Sequence, residues 1–435
     1  MISSLLIANR GEIAVRIIRT CKEYGIRSVL ACSEADRDSL GASMADHVVC
    51  IGPPSSQQSY LNMDALITAA MVTRCEAVHP GIGFLSENAE FSRRVSEAGL
   101  IFIGSPSAII ALLGDKIQAK KAAEENHIPL VPGTKESLNS VEEAVKETER
   151  IGFPIILKAA GGGGGKGMRI IRDISELHSA FETTKLEAEK AFGDARVYME
   201  HYLEHPRHVE VQLIADTHGK VLHLGERDCT VQENHQKLLE ESPAPQTSPE
   251  VLARMFEDAK RLFLSLKYVG AGTVEFLVEG DNYFFMEVNT RLQVEHPVTE
   301  LRTGVDLVHM QLLAHSGEHL PIDQDLSLKD LCVLEARVNA RTPGRVEQYH
   351  APGGYGVRID SALYTGYFVP PFYDALIAKV LCFGNSREEA INRMMRTLDE
   401  MKIEGIQTNK EMQMKIIDSE IFRSGVYDTK VIEQL

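Results

Sequence analysis

Two acidic residues and an amide, on what reads as one β-hairpin, carry the densest chemistry in this sequence. Thr273-Val274-Glu275-Phe276-Leu277-Val278 and Tyr283-Phe284-Phe285-Met286-Glu287-Val288-Asn289 flank the turn-forming run Glu279-Gly280-Asp281-Asn282. Side chains alternate along a strand, so Glu287 and Asn289 share a face. With a turn over 280–282, residue 279 pairs with 283 and Glu275 falls opposite Glu287. The two carboxylates then stand about 5 Å apart among Phe, Leu and Met, an arrangement that is repulsive without compensation. Carboxylate and amide oxygens are the donors that magnesium accepts, together with waters and phosphate oxygens. Glu275, Glu287 and Asn289 are therefore a candidate divalent-metal site.

The next residues, Thr290-Arg291-Leu292-Gln293-Val294-Glu295-His296-Pro297, set a guanidinium and a further carboxylate beside that site. Arg grips a planar oxyanion in a bidentate manner, and Glu295 is suited to act as a general base. A second feature lies upstream. Gly161 to Gly165, followed by Lys166-Gly167, interrupt two apolar runs, Pro154-Ile155-Ile156-Leu157-Lys158-Ala159-Ala160 and Met168-Arg169-Ile170-Ile171. Glycine is entropically costly in ordered structure, so such a run implies a backbone that bends freely or approaches a ligand closely. Main-chain N–H groups without Cβ atoms suit a phosphate chain. The P-loop pattern is excluded, because Ala160 and Gly167 stand where it needs Gly and Ser or Thr. The dinucleotide fingerprint is excluded too, because the loop returns into a strand and not a helix. The apolar flanks favour a mobile, strand-flanked cover over phosphates; the alternative is a flexible linker, which would have Ser and polar flanks.

The elements that position these groups follow from periodicity. Ser4 to Ala8 reads as a buried strand, Ile13, Ile17, Cys21 and Tyr24 recur at helical spacing, and Ser28 to Cys32 returns as a strand. With the apolar stretches at Val48-Val49, Ala77-Val78 and Ile101-Phe102-Ile103, this predicts a parallel sheet with crossover helices. Asn9-Arg10-Gly11-Glu12 is read as turn chemistry. A polar helix is expected over Lys135 to Arg150, leading to the glycine hairpin, and another over Arg387 to Met401 with Ser386 and Glu389 as a capping box. At 435 residues the chain exceeds one core. Seven cysteines without a CxxC pair predict buried thiols in a reducing cytoplasm. No apolar run reaches membrane-span length, and the first residues do not form a signal peptide. A net charge of −16 speaks against nucleic-acid binding but not against an anionic nucleotide in a locally positive cleft.

Taken together the motifs resemble those of biotin carboxylase, an ATP-grasp ligase. They are Asn9-Arg10-Gly11-Glu12-Ile13-Ala14, His79-Pro80-Gly81 with Gly83-Phe84-Leu85-Ser86-Glu87-Asn88, the polyglycine run, His208-Val209-Glu210, His235-Gln236-Lys237, and the stretch from Glu287 to Pro297. The resemblance covers nearly the whole chain. It implies an α/β (α+β ATP-grasp) fold in three regions. These are a Rossmann-like N-terminal domain (1–113), an ATP-grasp domain with a glycine-rich lid (114–316, lid about 131–203), and a C-terminal α/β domain (330–435). It implies ATP, two Mg2+ or Mn2+ ions, bicarbonate and biotin, and partners in a biotin carboxyl carrier protein, carboxyltransferase subunits and a second copy of the chain. No Ala-Met-Lys-Met biotinylation sequence occurs, so the expectation is a stand-alone subunit of the acetyl-CoA carboxylase type.

By position, the resemblance assigns ATP contacts to Lys116, Lys158, Gly163, Gly164, Gly165, Lys166, Glu200, Leu203, His208, Gln232, His235 and Leu277. It assigns the metal to Glu275, Glu287 and Asn289, bicarbonate to Lys237, Arg291, Gln293, Val294 and Glu295, and the biotin side to Arg337 and Ile82. Glu295, Arg291, Arg337 and Lys237 carry the catalytic roles. His79 and His296 are read as structural. Arg19, Glu23, Arg358 and Tyr355 match dimer positions, although Arg19 and Glu23 also have the spacing of an intrahelical pair. The departures gather on the biotin side: Ile82 in place of Tyr, Glu233-Asn234 in place of two arginines, and a shortened loop after Ala340.

Overall fold

The computed structural model describes residues 1–161, 167–324 and 329–435. Its first sheet has five parallel strands: β1 (Ser4–Ile7), β2 (Arg27–Cys32), β3 (His47–Cys50), β4 (Ala77–His79) and β5 (Ile101–Phe102), in the order β3-β2-β1-β4-β5. A parallel sheet must be covered on both faces, and alternation along β1 does this. Leu5 and Ile7 pack with Ile13, Ile17 and Leu30, whereas Leu6 and Ala8 pack with Val29, Tyr60 and Phe91. The turn Asn9–Glu12 is structural in part: Asn9 Nδ2 donates to the carbonyls of Pro80 (2.7 Å) and Ile82 (2.8 Å), tying two loops at the strand ends.

A small antiparallel sheet follows, with β6 (Ile155–Ala159) between β7 (Met168–Ile171) and β8 (Val197–His201). Helices Val141–Ile151 and Ile174–Phe192 cover one face around Ala144, Leu157, Phe181 and Val197. The expected helix from Lys135 begins only at Val141. Residues 135–140 before it are irregular apart from an isolated bridge, the Leu138 N–H donating to Val197 (2.7 Å), and Ser140 caps the helix by accepting from the Glu143 N–H.

The third sheet is antiparallel and carries most of the cleft. Its strands include β9 (Arg207–Ala215), β10 (Val221–Glu233), β11 (Gln236–Ser242), β12 (Gly270–Glu279), β13 (Asn282–Asn289) and β14 (Cys332–Asn339). Two short pairs, β15 (Gly344–Arg345) with β18 (Phe368–Val369) and β16 (Gln348–His350) with β20 (Lys402–Glu404), flank β17 (Val357–Ser361) and β19 (Leu376–Gly384). The order β13-β12-β9-β10-β11-β14-β19-β17 makes one continuous sheet across residues that lie up to 177 apart in the chain. The last long helix spans Arg387–Glu400, one residue short of expectation. Ser386 caps it through the Glu389 N–H, but the Glu389 carboxylate reaches back to the Asn385 N–H (2.9 Å) and not to that of Ser386. All seven cysteines are free. Cys50 is exposed at the sheet edge and Cys332 half-buried, a correction to the expectation of uniformly buried thiols. Among the described residues no helix is long and apolar enough to cross a membrane.

Candidate active site

A cleft of about 1320 Å³ lies between the three sheets. Its floor is the β12–β13 hairpin and the neighbouring strands. Glu275 does stand opposite Glu287, but by a different route from the one expected. The turn is tighter, so Glu279 pairs with Asn282 and not with residue 283. A bulge that leaves Met286 unpaired then restores the register. Two offsets cancel, and both carboxylates line the cleft with Asn289.

Lys237 is the hub of the floor. Its ammonium lies 2.7 Å from Glu210 Oε2, 2.9 Å from Glu275 Oε1 and 2.7 Å from Glu295 Oε1. Glu275 Oε1 also accepts from Asn289 (2.8 Å) and Gln293 (3.1 Å), and its Oε2 faces His208 Nε2 at 2.9 Å. Burial pushes the Glu275 carboxyl up, but Lys237 and His208 outweigh it and hold the group well below the usual carboxylate range. Glu295 is fully buried and is depressed in the same way, burial being overcome by Lys237, Arg337 and Arg227. The counterpart is His208: burial lowers its pKa, but Glu275 raises it further, favouring the imidazolium.

Arg337, on β14, spans Glu240 (Nε to Oε1, 2.6 Å) and Glu295 (Nη2 to Oε2, 2.8 Å). Arg291 donates to Glu87 (2.7 Å), Gln293 (2.9 Å) and Asn289 (3.2 Å), so the first sheet's loops brace the oxyanion-binding candidate. At the other end of the cleft, Lys116 approaches Glu287 (3.1 Å), and Lys158 and Lys120 hold Glu200 at 2.5 and 2.7 Å. Burial raises the Glu200 pKa, but these two lysines bring it down to about 2. Leu203, Gln232, Leu277, Val294 and Ile82 also line the cleft. Gln232 Nε2 donates to the Cys229 carbonyl and lies 2.8 Å from His208 Nδ1. His235 is exposed in the two-residue turn between β10 and β11, where Asn234 and His235 have φ of 51° and 63°. That turn explains Asn234, since Asn tolerates positive φ. Glu233 beside it pairs with Arg341 (2.9 Å). Gly163, Gly164, Gly165 and Lys166 lie outside the described residues.

His79 and His296 are fully buried. The His79 Nδ1 accepts from the Gly81 N–H (3.0 Å) and His296 Nδ1 donates to the Gln293 carbonyl (2.7 Å), both structural bonds that shape cleft loops. Arg358 turns inward to Glu300 and Asp360, whereas Tyr355 is 77% exposed and Arg19 and Glu23 do not pair with each other. Sequence reasoning missed Arg227, Glu240 and Lys120 and gave no role to Glu210. Glu210 was within reach, because it shares a strand face with His208. Glu240 was not: relative to β10, β11 carries an extra residue at Leu238, so Lys237 and Glu240 reach the same face although three apart.

The donor set suits a hard divalent cation: two facing carboxylates and an amide oxygen on adjacent strands, with Glu287 partly open to the cleft.

Comparison with known proteins gives three family matches that tile the chain. They are the biotin carboxylase N-terminal domain over 1–110, the ATP-binding domain of the carbamoyl-phosphate synthase L chain over 115–323, and the biotin carboxylase C-terminal domain over 335–434. Biotin carboxylase 1 of Bacillus subtilis is 46% identical over 443 residues, covering 100% of this chain and 98% of that one. The Campylobacter jejuni biotin carboxylase in a β-γ-ATP complex superposes with a TM-score of 0.97 at 41% identity, covering 100% and 99% of the two chains. The biotin carboxylase domain dimer of Hydrogenobacter thermophilus 2-oxoglutarate carboxylase, in complex with MgADP, ADP and bicarbonate, gives 0.96 at 39% identity, covering 100% and 98%.

Proposed function

The chain belongs to the biotin carboxylase family, and from that premise we propose that its cleft carboxylates biotin, using ATP and bicarbonate. Carboxyphosphate is the intermediate. The observation that carries the reading is Glu295: a fully buried carboxylate held ionised between Lys237 and Arg337, with Arg291 and Gln293 beside it. A base in that position meets an anion and a phosphoryl donor on one side and an acceptor on the other.

Lys116, Lys158, Glu200, Leu203, His208, Gln232, His235 and Leu277 hold the nucleotide, and Gly163, Gly164, Gly165 and Lys166 belong to the same ATP-binding assignment. Arg291, Gln293 and Val294 orient bicarbonate, and Glu295 takes its proton. The freed oxygen attacks the γ-phosphoryl group, while Lys237 balances charge growing on the transferred oxygens. A divalent cation at Glu275, Glu287 and Asn289, when bound, neutralises further phosphate charge. Carboxyphosphate gives CO2 and phosphate, the phosphate removes the N1 proton of biotin, and Arg337 stabilises the ureido oxygen beside Ile82. Exclusion of water by the lid protects the intermediate.

The three-region division, with boundaries at 1–113, 114–316 and 330–435, belongs to the same proposal. So do a homodimer, a cytoplasmic location, a biotin carboxyl carrier protein and a separate carboxyltransferase of the acetyl-CoA carboxylase type. A biotin carboxylase domain of the same fold belongs to a 2-oxoglutarate carboxylase, which supports a final acceptor chosen outside this chain. The test is ATP cleavage with bicarbonate and magnesium, with and without free biotin. Biotin is expected to accelerate ADP release; acceleration by a different acceptor and not by biotin would overturn the reading.

A further inference from the structure

Behind Arg337 lies a group of buried carboxyls that the mechanism leaves without a task. Glu240 on β11 and Glu335 on β14 are direct cross-strand partners, and both are 0% exposed. Glu240 Oε1 takes the Arg337 Nε–H at 2.6 Å, but its Oε2 has no partner. Glu335 has no partner on either oxygen. The cations in reach are committed elsewhere. Arg337 is shared with Glu295, and Lys379, the cross-strand neighbour of Arg337 on β19, lies 3.0 Å from Glu12 and donates to the Val294 carbonyl at 2.9 Å. Lys237 serves Glu210, Glu275 and Glu295.

Two facing anions with one shared cation are repulsive. An ionised carboxylate with no donor, out of water, is costlier than the neutral acid. We propose that Glu240 is a positioning residue for this reaction, anchoring the Arg337 guanidinium from behind, and that Glu335 beside it stays a neutral carboxylic acid, so that the anchor carries the only charge of the pair. The inference rests on the functional reading above for its effect on biotin, but not for the protonation of Glu335.

The reason for such an arrangement is steric and electrostatic. Arg337 has five N–H donors, and the Nε bond to Glu240 fixes the plane in which the others present themselves to the cleft. Were Glu335 also charged, it would draw the guanidinium backward, away from Glu295 and the acceptor. Burial pushes the Glu335 carboxyl well above the usual range, and Glu240 adds to this against the pull of Lys379 and Arg337. For Glu240, burial raises the pKa to about 7, with Arg337 opposing, Glu295 adding and Lys237 opposing. The pair titrates jointly, so the proton is a property of both. The other titratable groups facing the pair are Glu295, Lys237 and Lys379, the last held by Glu12, and the Cys229 thiol, which burial keeps neutral.

The test uses the full chain as wild type, E240Q, E240D and E335Q. Infrared spectra at pH 8 come first. The wild type is expected to show a protonated-carboxyl band that E335Q lacks; a band absent from the wild type, or kept in E335Q, overturns the neutral-acid assignment whatever the enzyme does. Kinetics with free biotin follow. E240Q is expected to lower kcat/KM for biotin about tenfold while its dissociation constant for MgATP stays within about twofold, and to lose the wild type's decline as pH falls through about 7. E335Q is expected to keep wild-type biotin kinetics. E240D, the variant that decides should E240Q not fold, is expected to keep the pH step with a raised KM for biotin. Equal losses for biotin and MgATP in E240Q, or an unchanged pH profile, overturn the positioning role. A wild type without biotin-stimulated turnover overturns the functional reading and, with it, the anchor's role, leaving the infrared result to stand alone.

Discussion

Glu295 and Glu335 are both fully buried in the same sheet-lined wall, and both neighbour Arg337, yet the first is held well below the usual carboxylate range and the second is pushed well above it. The difference lies in the number of cations per carboxyl. Around Lys237, three carboxylates meet one ammonium, but Arg227, Arg337 and His208 reinforce it from the sides. Around Glu335, Lys379 is already paired to Glu12, and Arg337 is already divided between two partners. Burial raises a carboxyl's pKa in both places; beside Lys237 the positive charge reverses this at Glu275 and Glu295, though not at Glu210, whereas around Glu335 it does not. The lesson is that charge state in this wall is set by the balance of burial against the cations within reach.

The strongest way to break that contrast is Lys237→Met. It removes the cation common to Glu210, Glu275 and Glu295. Breaking a buried pair costs about 3–5 kcal/mol, and losing a donor at developing charge costs about 10²–10³ in kcat. The expected result is near-complete loss of bicarbonate-dependent ATP cleavage and a lower Tm. The Tm deficit should be larger at pH 8 than at pH 6, because the stranded carboxyls gain stability by protonation. A variant with wild-type Tm at both values would show that Lys237 is not the hub. Glu295→Gln comes next. It keeps the shape but removes the base, with an expected loss of about 10²–10⁴ in rate and retained MgATP binding by calorimetry. A variant with half the wild-type rate would remove Glu295 from the chemistry.

Much of this contrast was hidden from the sequence for identifiable reasons. The first sheet was legible because a parallel strand such as Leu5-Leu6-Ile7 must be apolar on both faces. The Glu275–Glu287 pairing was reached through two errors that cancel, a tighter turn and a bulge at Met286, and bulges have no compositional mark. The bulge at Leu238 had the opposite effect: period-two reasoning puts Glu240 on the far side from Lys237, so the anchor of Arg337 went unseen. Glu12 and Lys379 are joined only by tertiary packing, between the start of the helix Gly11–Glu23 near one end of the chain and a strand near the other. The resemblance supplied positions for the substrate-facing groups; it was silent on what stands behind them.

The gentlest test compares the two kinds of carboxyl through stability alone. Glu335 has a folded-state pKa above its unfolded value, which is about 4.3 for Glu. The folded protein therefore keeps a proton that the unfolded chain releases, and stability contributed by this group falls as pH rises above about 4.3. Glu335→Gln removes that slope, so its Tm relative to wild type should climb by a few degrees between pH 5 and pH 8. Glu295 is the reverse case. Its folded pKa is depressed, so its contribution is present above about 4.3 and is lost as pH falls through the folded value. The Tm deficit of Glu295→Gln should accordingly shrink in acid. Melting curves of both variants across one pH series decide the matter: opposite slopes are required, and parallel ones would mean that the two glutamates share a charge state and that counting cations fails as the explanation.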